Sequence, residues 1–323
     1  VHTTRLALNL SRYVNGVAKR HQEVSQEMFP EHAEHIDAIT NGAHVPTWVG
    51  DDIGDLLDEN IRDWRVYPTK LQHATLIEDE PLWEAHQAQK RDLIEYVRER
   101  TGVELDEDVL TLGFARRAVP YKRAPLLFQD KERLREVVAR AGDVQIVYAG
   151  KAFPGDEQGK DIIREIYSHA EDLAGEITIT YLEDYDMEMG LKLTCGVDVW
   201  LNNPRRPREA SGTSGMKAAF NGVPQFSTID GWWVEGHIEG ETGWSIGPEP
   251  HSPREQRMND AQEDLVDATA LYDTLEQEVL PTYYDDREEW IGIMRNAIAF
   301  NGSRYHARRM MEEYLATAYA PEN

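Results

Sequence analysis

The chain has 323 residues, 41% of them hydrophobic, and carries a net charge of −25 from 59 acidic against 34 basic side chains. That length exceeds one ordinary domain and the apolar content suffices for a sizeable core, yet no apolar run approaches the roughly 20 residues that span a bilayer. Such acidity disfavours the phosphates of nucleic acid and anionic lipid, so neither nucleic acid nor membrane is expected as a partner.

Lysine is scarce, with nine residues. A lysine-poor acidic surface stays soluble in concentrated salt, where ordinary charge repulsion is screened, which suggests a salt-loving source. The only cysteine is Cys195. An intrachain disulfide is therefore impossible, and a reducing cytoplasm is the simplest compartment. Cys195 sits in "LKLTCGVDVW", apolar on both sides, which reads as a buried, inert thiol. The amino end, "VHTTRLALNL", lacks the pattern of a signal peptide. It also lacks an initiator Met, which fits an unusual start codon, a processed chain or a fragment. No pattern of metal ligands stands out.

Taken in chain order, Leu6 to Phe29 predicts a helix, with Leu6, Leu10, Tyr13, Val14 and Val17 at helical spacing. "AITNGAHVPTW" (Ala38 to Trp48) is a short apolar piece, a turn, and a Pro-containing start to the next segment. Pro81 to Arg100 predicts a helix introduced by the acidic "EDEP". An alternating pattern follows. Strands are expected at Val109–Ala115, Val144–Gly150, Ile177–Leu182, Val197–Asn202 and Pro224–Ile229. Helices are expected between them, from about Ala124 to Ala141, Asp161 to Leu173 and Met187 to Thr194, and after the loop that follows Asn202. Strand alternating with helix implies a doubly wound parallel α/β sheet. The tail from Glu263 to Tyr319 reads as two long helices, preceded by a mobile loop from Ile246 to Asp260.

In such sheets ligands bind beyond the carboxyl ends of the strands. Polar clusters follow all five predicted strands: "ARRAVPYKR", "GKAFPGDEQGK", "EDYD", "NPRRPREASGTSGMK" and "DGWWVEGH". The first presents Arg116, Arg117, Lys122 and Arg123 within eight residues. In so acidic a chain that knot implies an anion, since guanidinium forks match phosphate oxygens. The bland alternative is a solvated helix start paired with surface acids. "EASGTSGMK" offers a second anion cradle, where Gly212 and Gly215 let backbone N–H groups approach a ligand and a helix start follows. Lys217, desolvated there, has a lowered pKa and could form a Schiff base with an aldehyde, while the loop holds that aldehyde's phosphate. Pyridoxal phosphate has this chemistry. Glu209, eight residues earlier, could accept hydrogen bonds from sugar hydroxyls.

The segments "GFARRAVPYKRAPLLF", "YAGKAFPGDEQGK", "YLEDYDMEMGLKLTCGVDVWLNNPRRPREASGTSGMKAAFNG" and "TIDGWWVEGH" resemble those of the α-glucan phosphorylases, above all the short bacterial and archaeal branch. The resemblance covers about Arg5 to His237. It implies a two-lobed glycosyltransferase fold and reversible phosphorolysis of α-1,4-glucan or maltodextrin by inorganic phosphate, giving glucose 1-phosphate. It also implies pyridoxal 5'-phosphate used through its phosphate. Lys217 matches the lysine that carries the cofactor. Gly212, Thr213 and Ser214 match the loop around the phosphates, Trp48 and Tyr185 match cofactor neighbours, and Arg116 stands where the family commonly has Lys near the cofactor phosphate. Arg117 and Lys122 match the substrate-phosphate binders. Asn41, Tyr121, Glu209, Ala210 and Ser211 match sugar contacts. Asp186 follows Tyr185 where long members have Arg. Related nucleotide-sugar glucosyltransferases, such as glycogen synthases, carry a second Glu at the position of Lys217.

The resemblance also implies that residues 1–45 are the last helix and strand of a first lobe, with 46–323 forming the second lobe and its carboxyl-terminal helices. The rest of the first lobe is expected elsewhere: on a longer chain, on a separate partner chain, or lost, leaving an inactive glucan- or cofactor-binding lobe. Homo-oligomerisation is a further possibility. Without that lobe the chain by itself is expected to show no appreciable phosphorolysis.

Overall fold

The computed structural model describes residues 2–252 and 258–320. Among the described residues eight strands form two parallel sheets. β1 (Val14–Gly16) and β2 (Ile36–Ala38) pair only with each other. β3 (Leu110–Ala115), β4 (Val144–Ala149), β5 (Thr178–Leu182), β6 (Val199–Asn202), β7 (Gln225–Thr228) and β8 (Gly243–Ile246) form the second sheet, in the order β5-β4-β3-β6-β7-β8. Every pairing in it is parallel. Each residue of β3 and β4 is buried, as expected of strands covered on both faces by crossover helices.

The chain builds outward from β3 through β4 to β5, then returns to place β6 on the other side of β3. The strand order therefore reverses between β3 and β6. At such a switch point the two following loops diverge to opposite faces and leave a crevice at the carboxyl edge.

Four expectations need correction. The predicted helix Leu6–Phe29 is broken into helices Thr3–Leu10 and Lys19–Met28 by β1. Asn15 and Gly16 gain a ladder with Asp37 and Ala38, a tertiary pairing that local periodicity does not encode. The helix placed at Ala124–Ala141 starts at Lys131, where the Asp130 side chain caps it by accepting the Arg133 N–H at 2.9 Å; Ala124–Phe128 is a tighter 3-10 turn. The tail forms three helical stretches, broken at Asp286 and again near Tyr305. β8, only four residues long, was missed. Residues 253–257 of the loop expected to be mobile lie outside the described residues.

Buried charge ties these elements together. Lys90, fully buried on helix Asp79–Thr101, donates to Asp198 Oδ2 at 2.7 Å, to the Val109 carbonyl at 2.8 Å and to Tyr283 Oη at 3.0 Å. Burial alone would raise the Asp198 pKa, but Lys90 and His86 outweigh it and hold the carboxyl below its usual range. Across the carboxyl edge, Arg206 donates to Asp267 Oδ1 at 2.7 Å and Arg205 to Asp264 at 2.7 Å. These bonds fasten helix Asp260–Thr274 beneath the turn that follows β6.

Candidate functional site

Two turns meet at the switch point. The first follows β3 and runs along β4's own turn. The Arg116 N–H donates to the Ala149 carbonyl at 3.1 Å and the Ala118 N–H to the Lys151 carbonyl at 3.0 Å. Gly150 permits this approach: its φ is +149°, and a Cβ there would stand 2.0 Å from the Arg116 carbonyl oxygen. The second turn follows β6, and its Arg205 N–H donates to the Tyr121 carbonyl at 2.7 Å. Between them lies a cavity of about 660 Å³, walled by residues 115–117, Tyr121, Lys122, residues 150–154, Tyr185 and residues 212–214.

The charged residues of this wall are all cations. Arg116, Arg117, Lys122 and Lys151 all line it. Glu209 bridges two of them, its Oε2 accepting from Arg116 Nη2 at 2.8 Å and from Lys122 Nζ. Burial would raise the Glu209 pKa, but Arg116 and Lys122 hold the carboxyl below its usual range. Burial, reinforced by the Arg116 charge, pushes Lys122 down to about 8 against the pull of Glu209. The Lys122 ammonium lies over the Tyr121 ring, 4.7 Å from its centroid. Burial, followed by the Glu209 charge, raises the Tyr121 hydroxyl pKa. Arg123 does not join this group. Its guanidinium turns away to Asp267 at 2.7 Å and Asp264 at 3.0 Å. Of the four cations predicted to form one anion-binding knot, only three face the cavity.

Behind the loop 212–214 lies Lys217, one turn into helix Ser214–Ala219, with its N–H donating to the Thr213 carbonyl at 3.1 Å. Its ammonium sits over the Trp48 indole, 3.5 Å from the centroid. Burial lowers the Lys217 pKa. Tyr185 connects this lysine to the cavity. Its hydroxyl and the Trp48 ring both rest on Gly190, where a Cβ would stand 2.6 Å from the Tyr185 oxygen and 3.5 Å from the indole. Trp200 Nε1 donates to Ser214 Oγ at 3.1 Å, holding the start of the helix.

These residues fit an aldehyde cofactor that carries a phosphate: a desolvated amine, a flat aromatic wall beside it, and cations with glycine-rich backbone at the cavity. Gly212 takes a φ of +75° there, the left-handed region that glycine enters freely.

Ser211 is buried, with its hydroxyl donating to the Gly212 carbonyl at 3.1 Å, and Ala210 is exposed. Neither they nor Asn41 line the cavity. Asn41 is anchored from the carboxyl-terminal helix, its carbonyl accepting from Arg309 Nη2 at 2.9 Å.

Sequence reasoning gave no role to Asp230. This buried carboxylate accepts the Glu209 N–H at 2.8 Å and the Gly231 N–H at 2.9 Å. The next residue adds a further tie, from the Trp232 N–H to the Ser211 carbonyl at 2.9 Å. The turn after β7 thus orients Glu209. Burial pushes Asp230 up to about 7. Its signal was the cluster "DGWWVEGH", recognised as polar and at the strand edge without a residue being singled out.

A family model described as carbohydrate phosphorylase matches residues 1–317. This chain belongs to the carbohydrate phosphorylase family. It is 42% identical to a maltodextrin phosphorylase of Thermococcus litoralis, over 98% of this chain and 40% of that protein. It is 41% identical to a glycogen phosphorylase of Aquifex aeolicus, over 99% of this chain and 49% of that protein. A Methanocaldococcus jannaschii protein described as uncharacterized is 30% identical over 98% of this chain and 55% of its own length. The chain therefore spans about half the length of the curated relatives it matches. Among the described residues no helix is long and apolar enough to cross a membrane.

Proposed function

We propose that this chain is the cofactor- and phosphate-binding portion of an α-glucan phosphorylase, which cleaves α-1,4-glucan or maltodextrin with inorganic phosphate to release glucose 1-phosphate. One observation carries the reading. Arg116, Arg117 and Lys122, from the turn after β3, line the same cavity as the Gly212–Ser214 loop that leads to Lys217. Family membership favours this reading over a nucleotide-sugar glucosyltransferase, and the lysine at 217 agrees with it.

Each side chain then has a task. Lys217 would hold pyridoxal 5'-phosphate, and Trp48, Tyr185, Gly212, Thr213, Ser214 and Arg116 would help to bind it. When bound, the cofactor would supply acid–base chemistry through its phosphate. Arg117 and Lys122 hold the substrate phosphate, and guanidinium and ammonium stabilise its charge. Lys122 keeps a proton at Nζ that it can release near pH 8. Glu209 is ionised, oriented by Asp230, and able to accept hydroxyls of the glucosyl ring, with Tyr121, Asn41, Ala210 and Ser211 completing the sugar contacts.

The two-stranded sheet β1–β2 stands apart from the six-stranded one. That separation supports assigning residues 1–45 to the end of a preceding lobe and 46–323 to the second. A partner chain or a second copy would be an alternative source of the facing wall. The acidic, lysine-poor composition supports a salt-rich cytoplasm as its setting.

Borohydride reduction of the chain with pyridoxal phosphate, followed by peptide mapping, tests the assignment. The label is expected on Lys217. A label confined to Lys151 or Lys122 would defeat it. In a turnover assay with maltodextrin and phosphate, the chain by itself is expected to be inactive. Activity on adding the missing portion would support the reading.

A further inference from the structure

We propose that Asn221 is a positioning residue for the cofactor lysine: its side-chain amide locks Trp48 against Lys217, so that the two form one wall of the cofactor slot. The proposal rests on the reading that Lys217 carries the cofactor.

Asn221 is fully buried. Its Nδ2 donates to the Trp48 carbonyl at 2.7 Å and to the Lys217 carbonyl at 3.0 Å, and its Oδ1 accepts the Gly50 N–H at 2.8 Å. Both amide hydrogens are used. A flipped amide would set oxygen against two carbonyls and nitrogen against an N–H, so this network admits one orientation.

The helix that carries Lys217 has only six residues, too few to be stable alone. Its last turn is closed by Asn221, and the same amide takes the Trp48 carbonyl from a segment more than 170 positions away. That segment is equally dependent on outside support, because Val45–Trp48 is a four-residue helical turn. An amide placed for stability alone could join any two strands of backbone. This one joins the two residues whose side chains meet, with the Lys217 ammonium 3.5 Å from the indole centroid. Six of the eight tryptophans are fully buried, whereas Trp48 is only half-buried. It packs on the edge of the core, and the backbone tether adds to that packing.

Lys217 has a lowered pKa for which burial is the cause. Loosening Trp48 admits water and returns the amine toward ordinary behaviour. The test is the pH dependence of trinitrobenzenesulfonate labelling of Lys217 in the purified chain, read by peptide mapping. In the unmodified chain its midpoint should lie below that of exposed lysines. In Asn221→Ser and Asn221→Leu it should move up, and each unit regained cuts the neutral-pH fraction of free amine about tenfold. In a Trp48→Ala background the Asn221→Ser change should add nothing further, because both act through one contact.

A folded Asn221→Ser chain with an unchanged midpoint overturns the proposal, as does an effect that adds in full to that of Trp48→Ala. If neither Asn221 variant folds, amide exchange in the unmodified chain decides. Protection of the Gly50 N–H comparable to helix Asp51–Asn60 supports the tether, and exchange at the rate of an exposed amide overturns it. The labelling reagent does not depend on pyridoxal phosphate. Failure of the cofactor to attach at Lys217, with the midpoints shifting as stated, would defeat the functional reading and leave the tether standing.

Discussion

Replacing Lys122 by Met removes one ammonium from the cavity wall while keeping the length of the stem. Lys122 is 8% exposed and shares Glu209 Oε2 with Arg116. Its pKa is pushed down to about 8, by burial first and the Arg116 charge second. Sulfate is the best probe, because it keeps its charge across the alkaline range while phosphate does not. A dianion binds the protonated lysine, so wild-type affinity should be flat below about pH 8 and then fall about tenfold per pH unit. Over two units that is ~2.7 kcal/mol. In Lys122→Met the affinity should already be lower at pH 7 by ~2–5 kcal/mol, the range for truncating one partner of a buried charge pair, and should then stay flat. Titration calorimetry at constant ionic strength measures both curves, the constancy being needed because salt screens the exposed charges. Stability moves the opposite way. The unfolded chain keeps this proton up to the ordinary value of 10.5, whereas the folded chain releases it near 8. Between those values the unfolded state binds more protons, so stability without ligand rises with pH. Lys122→Met should abolish that part of the rise. A wild-type sulfate affinity that is flat from pH 7 to 10, or an equal fall in Lys122→Met, would refute the reasoning.

Arg117 is exposed in this chain. In the whole enzyme, with the facing wall in place, Arg117→Ala should weaken transition-state binding by about 2–5 kcal/mol, seen as reduced kcat/KM for phosphate, since the substrate phosphate would lose its guanidinium partner; unchanged phosphate kinetics would remove Arg117 from the site. Lys90→Met leaves Asp198 buried without its principal cation and should cost about 3–5 kcal/mol in denaturant unfolding, with cooperativity kept. Cys195, buried and pushed up to about 12 by that burial, should resist iodoacetamide in the native chain at pH 8 and react fully once unfolded; fast native labelling would contradict its placement.

Local patterning carried much of this protein. β3 and β4 are legible as short apolar runs because both of their faces are covered, and helix Asp79–Thr101 because the acidic "EDEP" marks its start; that Gly102 ends it at a φ of +73° is seen in the fold. Arg116, Arg117, Lys122 and Lys217 were legible as a lysine-poor chain's investment of cations beside glycine-rich turns. The order of strands was not. Nothing local to β6 says that it pairs with β3, and that pairing alone brings "RRAVPYK" and "GTSGMK" to one cavity. Tertiary structure likewise turned Arg123 from the knot toward Asp267, because a side chain's direction depends on which acid a distant helix delivers. It broke the first predicted helix at Asn15–Gly16 for a ladder 22 residues away. Asp230 and Asn221 are unremarkable in sequence, and what they do is set by backbone groups that only the folded chain places within hydrogen-bonding distance. Hydrophobic period and turn chemistry act over a few residues and so can be read along the chain, whereas pairing, burial and charge partnership are decided between segments that meet only in the fold.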